Sequence, residues 1–458
     1  MAEHSVTVEG TLNALLDGKK YRAIKDILVT MNPADIAAVF DEIDEDKLPL
    51  LFRLLPKELA AESFVEMEPD NQEMLIRGFS DSELKEVLDE LYVDDAVDIV
   101  EEMPANVVRR ILSQADPDMR KQINEILRYP ENSAGSIMTT EYVSLRPNMT
   151  VEEAIIRIRR TGVDKETIYT CYVTKDRKLI GFCTVKNLLL QQDDNALISE
   201  IMHTNVISVN TMDDQEEVAQ MLSKYNFLAL PVVDGEGRMV GIVTFDDAMD
   251  VIEDETTEDI EMMSGMAPSD KPYSKSSPFD LFKKRFPWLT VLMVSATFTS
   301  MIITGFEDAL AAQAALTAFI PMLTGTGGNS GTQSSATVIR ALSLGDVEFS
   351  DIFSVIWKEI RTAVLCGIAL AAVCFAKLML FDNMVMGNDA ITVLVALSIC
   401  VTMAVTVLIA KVIGSALPLI AKQLGADPAV LSSPFISTMV DALSLLVYFT
   451  VSKAILHI

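Results

Sequence analysis

The chain has 458 residues, half of them apolar, and a formal charge of −29. It is too long for one ordinary domain, and so acidic a chain lacks the basic surface that nucleic acid requires. The charge is uneven: residues 1–272 carry 26 Lys and Arg against 55 Asp and Glu, whereas residues 273–458 carry 11 of each. An acidic first part suits cationic partners, or is simply a well-solvated surface.

Residues 1–20 are mixed and polar, so no signal peptide is expected, and membrane insertion falls to later apolar segments. Residues 36–127 repeat every twelve. Ile43, Leu55, Met67, Phe79, Leu91, Met103, Ala115 and Leu127 form one apolar register; Phe40, Phe52, Phe64, Ile76, Leu88, Val100 and Leu112, three residues earlier, form another. Pairs at i and i+3 share a helical face. Pro33, Pro56, Pro69, Pro104 and Pro117 punctuate the units. The pattern predicts short helices joined by turns, each unable to bury its own face, stacked into a superhelix over residues 1–132. Asp94, Asp95 and Asp98 form an acidic patch there, either solvated face or cation contact.

Residues 137–252 read twice. Ile137-Met138-Thr139 returns as Ile201-Met202-His203, and Lys178 to Thr184 returns as Arg238 to Thr244, each with Gly at the fourth position. Each copy predicts a strand, an amphipathic helix (Val151–Arg159; Glu216–Lys224) and a Thr-x-x-Asn/Asp helix start. The stretch resembles a tandem pair of CBS domains, 133–200 and 201–257. The resemblance implies regulation, with adenosine nucleotides such as ATP contacted through Thr184, Asn187, Thr244 and Asp247; the same residues read equally as helix caps.

Acids then thicken: Asp246, Asp247, Asp250, Glu253, Asp254, Glu255, Glu258 and Asp259. Several share a helical face, where like charges repel unless a cation joins them. All-oxygen ligands suit Mg2+ or Ca2+ rather than zinc or copper; a solvated acidic linker is the other reading. The five cysteines show no zinc spacing, and the scattered His4, His203 and His457 offer no catalytic set, so an enzyme is not expected.

Five apolar stretches follow, near 286–306, 313–337, 362–381, 391–413 and 430–454, each long enough to cross a hydrocarbon core. Lys283, Lys284, Arg285, Arg340, Lys358, Arg361, Lys411 and Lys422 flank alternate ends, which predicts a cytoplasmic N-terminus and an outside C-terminus. The second stretch carries Pro321 and then Gly325, Gly327, Gly328, Asn329, Gly331 and Gln333, which predicts poor lipid-facing helix and non-helical backbone on a wet cavity, or else close helix packing. The last carries Ser433, Pro434, Ser437 and Asp441. An acid at that depth costs about 2.5–3.5 kcal/mol on insertion scales and marks function.

Repeat scaffold, CBS pair, acidic connector and five spans together resemble the MgtE family of magnesium transporters, most sharply in Pro321 with residues 325–333, Asp427-Pro428-Ala429, and Asp441. The resemblance implies a homodimer in the plasma membrane whose pore is lined by the second and fifth spans. It implies that Asp441 holds hydrated Mg2+, that Asp427 sits at the cytoplasmic mouth, and that Asp247, Asp250, Glu255, Glu258 and Asp259 bind regulatory Mg2+. A connecting helix within 258–285 would plug the pore, ahead of a membrane domain at 286–458. The expected function is a Mg2+-selective, Mg2+-gated channel. The competing readings are a secondary carrier for another divalent ion or small solute, and a membrane-tethered sensor that transports nothing.

Overall fold

The twelve-residue period is a ladder of short helices. A computed structural model describes residues 2–44, 46–269, 273, 276–388, 390–430 and 433–457. It divides into two compact units, Met1–Ile252 and Glu253–Ile458. The first unit begins with α1 (Ala2–Asp17), α2 (Tyr21–Leu28), α3 (Pro33–Asp41), α4 (Leu48–Phe52), α5 (Lys57–Val65), α6 (Pro69–Gly78), α7 (Asp81–Leu88), α8 (Val93–Glu102), α9 (Ala105–Gln114) and α10 (Pro117–Ile126). Helix starts from Lys57 to Pro117 recur every twelve residues. Pro occupies the first turn of α3, α6 and α10, where no backbone N–H is missed. Asn32 and Asp116 cap helices, and Ser80 with Glu83 forms a reciprocal capping box. Both apolar registers enter one continuous core, where the rings of Phe52, Phe64 and Phe79 lie 5.3 to 6.4 Å apart. Leu127 departs from the expectation and is exposed, lying just past the end of α10 at Ile126.

The duplicated stretch folds twice into the same three-stranded sheet. The first holds β1 (Tyr142–Leu145), β2 (Thr167–Lys175) and β3 (Lys178–Thr184) with α11 (Val151–Thr161) and α12 (Val185–Leu190). After α13 (Ile198–Ile201), the second holds β4 (Val209–Asn210), β5 (Ala229–Val233) and β6 (Met239–Thr244) with α14 (Gln215–Tyr225) and α15 (Phe245–Met263). In each, the first pair is parallel across a helix and the second antiparallel across a turn. The copies lock reciprocally: Thr139 bridges Ile242 and His203 bridges Phe182. The repeated glycine follows from that lock. A Cβ on Gly241 would stand 2.6 Å from Thr139 O, and one on Gly181 would stand 2.8 Å from His203 O. Gly241→Ala should therefore destabilise the first unit by about 1–3 kcal/mol, since overpacked positions cost that much. A thermal melt reads the loss as several degrees, and an unchanged midpoint would show that the strands part without cost.

The second unit is helical: α16 (Pro278–Gly305), α17 (Glu307–Ala312), α18 (Ile320–Ser343), α19 (Ile352–Ala376), α20 (Val393–Gln423) and α21 (Ser433–Leu456). α19 runs on as a π-helix, Lys377–Val385. Helices at Pro278–Gly305, Phe349–Val385, Val393–Gln423 and Pro434–Leu456 are long and apolar enough to cross a membrane. α18 is long enough, but its glycines, serines and threonines keep it from that apolar set. Three expectations change. The glycine run is continuous α-helix, because its backbone groups pair internally while the missing side chains admit neighbouring helices. The third span starts at Ile352, ten residues before its apolar run, and so takes Lys358, Glu359 and Arg361 into the helix. Residues 258–285 are not one helix: α15 ends with Gly265 at φ +73°, with Met266 N–H donating back to Glu261 O, and α16 starts only at Pro278.

Candidate ion-conducting and ion-sensing sites

α18 and α21 place Asp441. On α18, Gly327, Gly328 and Gly331 are buried, and α21 lies against them. A Cβ on Gly328 would stand 2.5 Å from Ser437 Oγ and 3.6 Å from Asp441 Oδ1; one on Gly327 would stand 2.9 Å from Ser444 Oγ. Asp441 is half-buried, and its Oδ1 is enclosed without accepting a hydrogen bond from any described residue. It also makes no ion pair among the described residues. An enclosed carboxylate oxygen with no protein donor is suited to a cation or its water shell.

The predicted lining residues divide into two groups. Gly327, Gly328 and Gly331 are packing contacts. Pro321, Gly325, Asn329 and Gln333 recur every fourth residue and form an exposed stripe down α18. Polar side chains do not face lipid at low cost, so that stripe needs water or protein over it. Pro434 and Ser437 are half-buried on α21. The Ser433 side chain lies outside the described residues.

The sequence reading missed a buried charge pair. Lys411 lies 3.7 Å from Glu359, and Ser334 joins them by donating to Glu359 at 2.7 Å and accepting from Lys411 at 3.2 Å. Both residues sit at the edges of their apolar runs, where hydropathy reads them as loop flanks. The usable signal was their coincidence with Ser334 on the small-residue face of α18.

In the first unit a second group of acids converges. Asp94 and Asp95 open α8, Glu141 precedes β1, Glu166 precedes β2, and Asp246 and Asp247 open α15. Burial, reinforced by the Asp247 carboxylate, holds Asp94 well above the usual carboxylate range. Burial first, then Asp247 and Asp246, push Asp95 up to about 7. Burial and then Asp95 raise Glu166 to about 8. Asp247 is raised to about 6 by burial, against the Thr244 hydroxyl that donates to it. Asp94 Oδ1 and Glu166 Oε2 are enclosed without a donor among the described residues. Asp250 lies exposed on α15, whereas Asp98, solvent-accessible on α8, still joins the group: burial and then Asp247 and Asp95 push it up to about 7. No three His, Cys, Asp or Glu among the described residues stand at direct metal-ligating distance. Oxygen-only groups of this kind suit hard cations rather than zinc or copper.

α15 carries the remaining acids as one helix, with Glu255, Glu258 and Asp259 half-buried. Within the second unit, Asp259 accepts from Ser343 at 3.1 Å; burial and then Asp427 raise its pKa, while Ser343 and Arg340 lower it. Asp427 accepts from the Ala429 N–H at 2.7 Å. Gly265 abuts Pro434, at 3.1 Å from a Cβ built on it. Thr184 accepts from the Asn187 N–H as a helix cap, and Asn187 Nδ2 lies 2.9 Å from His203 Nε2.

Comparisons with known proteins match each part of the chain. A family described as a divalent cation transporter matches residues 320–451, the MgtE intracellular N domain matches 31–132, and CBS domains match 134–193 and 198–254. Over 441 residues the chain is 37% identical to the magnesium transporter MgtE of Thermus thermophilus, covering 95% of this chain and 96% of that one. The Bacillus subtilis magnesium transporter MgtE is 32% identical, with 97% and 96% covered. A crystal structure of the cytosolic domain of the Mg2+ channel MgtE in complex with ATP is similar at 38% identity and TM-score 0.51, covering 53% of this chain and 99% of that one. The soluble part of a magnesium transporter is similar at 32% identity and TM-score 0.51, covering 55% and 99%. With matches across the repeat scaffold, the CBS pair and the membrane helices, the chain belongs to the MgtE family of magnesium transporters.

Proposed function

We propose that this chain conducts Mg2+ into the cytoplasm along a path at which Asp441 holds the ion, and that its acidic cytoplasmic domains close that path when Mg2+ is abundant. The carrying observation is the enclosed, unpartnered Asp441 Oδ1 beside Gly328. Mg2+ sheds water reluctantly, so one carboxylate from each of two protomers, acting through the ion's waters, holds it without trapping it. The exposed stripe of Pro321, Gly325, Asn329 and Gln333 supports a homodimer with the path between protomers, where the stripe meets water instead of lipid. The N-terminus lies on the cytoplasmic side of the plasma membrane and the C-terminus outside.

Regulation rests on the acids of the first unit and of α15. Asp94, Asp95, Asp98, Asp246, Asp247 and Asp250 would hold Mg2+ there, and Glu255, Glu258 and Asp259 would hold it further along α15, with Asp427 beside Asp259. Their mutual repulsion disfavours a closed arrangement until a divalent cation offsets it. Mg2+ then favours closure because it binds the closed arrangement better. Thr184, Asn187, Thr244 and Asp247 are the positions at which the CBS pair would take ATP. No catalytic reaction is assigned to the chain.

The test is Mg2+ flux into vesicles carrying the purified chain, with Mg2+ on the cytoplasmic face varied. Flux should fall as that Mg2+ rises, without an H+ or Na+ gradient. Flux that needs such a gradient and ignores cytoplasmic Mg2+ would favour the secondary carrier.

A further inference from the structure

Glu359, Ser334 and Lys411 meet inside the helical bundle, on α19, α18 and α20. The Lys411 and Glu359 side chains are 8% and 14% exposed, so water screens them little. Desolvating such a pair is costly, and an apolar pair of similar size packs as well or better. Packing does not need these charges either: Gly331 and Gly414 already bring α18 and α20 into backbone contact.

Their position gives them another role. A Cβ on Gly331 would stand 3.3 Å from Ala410 O and 3.4 Å from Val440 Cγ2. Ala410 precedes Lys411 and Val440 precedes Asp441, so Gly331 touches the residue before each charged position, the Ala410 carbonyl on one side and the Val440 side chain on the other. Ser334 lies six residues beyond Gly328, ~9 Å along the α18 axis at the usual helical rise. A unit charge roughly 10 Å away still acts on a divalent ion inside a protein, where water screens it less than in bulk.

We propose that Glu359 tunes how tightly the path takes Mg2+: it cancels the Lys411 charge, so that Asp441 sets the field on the passing ion. Lys411 in turn keeps Glu359 from becoming a second carboxylate that would hold the ion further along. The proposal rests on Asp441 holding the ion.

The test compares Mg2+ uptake against external Mg2+ in vesicles carrying the full chain, for Glu359→Gln, Lys411→Met, the double variant and Ser334→Ala. Glu359→Gln leaves a bare positive charge, and the half-saturating Mg2+ should rise by about tenfold or more; Lys411→Met should lower it by about tenfold. The double variant should return to within about threefold of the parent, and Ser334→Ala, which keeps both charges, should leave it unmoved. A mere packing lock would move both single variants the same way, and that result overturns the proposal. If the single variants do not fold, the exchanged pair Glu359→Lys with Lys411→Glu decides: parent-like half-saturation supports the proposal, and a shift beyond about threefold overturns it. Asp441→Ala separates the two levels. Normal flux in that variant removes the ion-path reading itself; lost flux, with charge variants that move together, removes only this proposal.

Discussion

Mg2+ flux through Asp441→Ala should fall by at least about tenfold, the consequence of losing ~1.4 kcal/mol or more of ion stabilisation at one narrow point. The carboxylate cannot be replaced from nearby. Besides Asp441, the polar α21 atoms nearest Gly327 and Gly328 are the Ser444 and Ser437 hydroxyls, which carry no charge to offset a divalent ion. Asp441→Asn keeps size and hydrogen bonding but removes charge, and it should lose nearly as much flux. Glu at this position keeps the charge but needs more room than the close approach of Gly328 leaves, so an intermediate loss is expected. The Ala and Asn variants should elute from size exclusion like the parent, because Asp441 accepts no hydrogen bond from any described residue and its removal breaks none. Asp441→Ala with parental flux and parental half-saturation would end the assignment.

How much of this was legible beforehand depended on whether the signal was local. The helix ladder was legible because one apolar pair recurs every twelve residues, from Phe40 and Ile43 onward. The CBS pair was legible because Gly181 and Gly241 solve the same steric problem twice. Asp441 stood out as a charge within an apolar run. The glycine run gave the right helix but the wrong backbone: composition cannot tell a glycine that breaks a helix from one that lets a neighbour in, and Gly327 and Gly328 are of the second kind. Glu141 and Glu166 were overlooked because they join Asp94 and Asp95 only through tertiary folding, across a gap that no periodicity records. Glu359 and Lys411 were hidden by averaging, since a hydropathy window treats a charge at its edge as the end of a span.

The acid cluster of the first unit should make stability fall as pH rises when Mg2+ is absent. Asp94, Asp95, Glu166 and Asp247 all have pKa values raised above the ordinary carboxylate range, to about 7 for Asp95 and about 8 for Glu166. A raised folded-state pKa means that the folded unit holds more protons than the unfolded chain between those two values. The stabilisation is complete below the ordinary carboxylate pKa and is lost as pH climbs through the folded values, here toward about 8. The groups that face one another come from α8, the strand entries and α15, among them Asp94, Asp95, Asp98, Glu141, Glu166, Asp246 and Asp247, so protonation relieves repulsion between elements as well as within them. Melting of the full chain in detergent should therefore drop by several degrees from pH 6 to pH 8 without Mg2+, a size typical of losing a few kcal/mol in a domain this large. Added Mg2+ should restore more at pH 8 than at pH 6, because the cation takes the place of protons already lost, and calorimetry in two buffers should show proton release on binding near pH 7. Asp95→Asn combined with Glu166→Gln should flatten the pH dependence and weaken the Mg2+ response together. A melting point that holds steady over this range without Mg2+ would mean that water reaches these carboxylates freely, and the cluster could not then act as a charge-driven sensor.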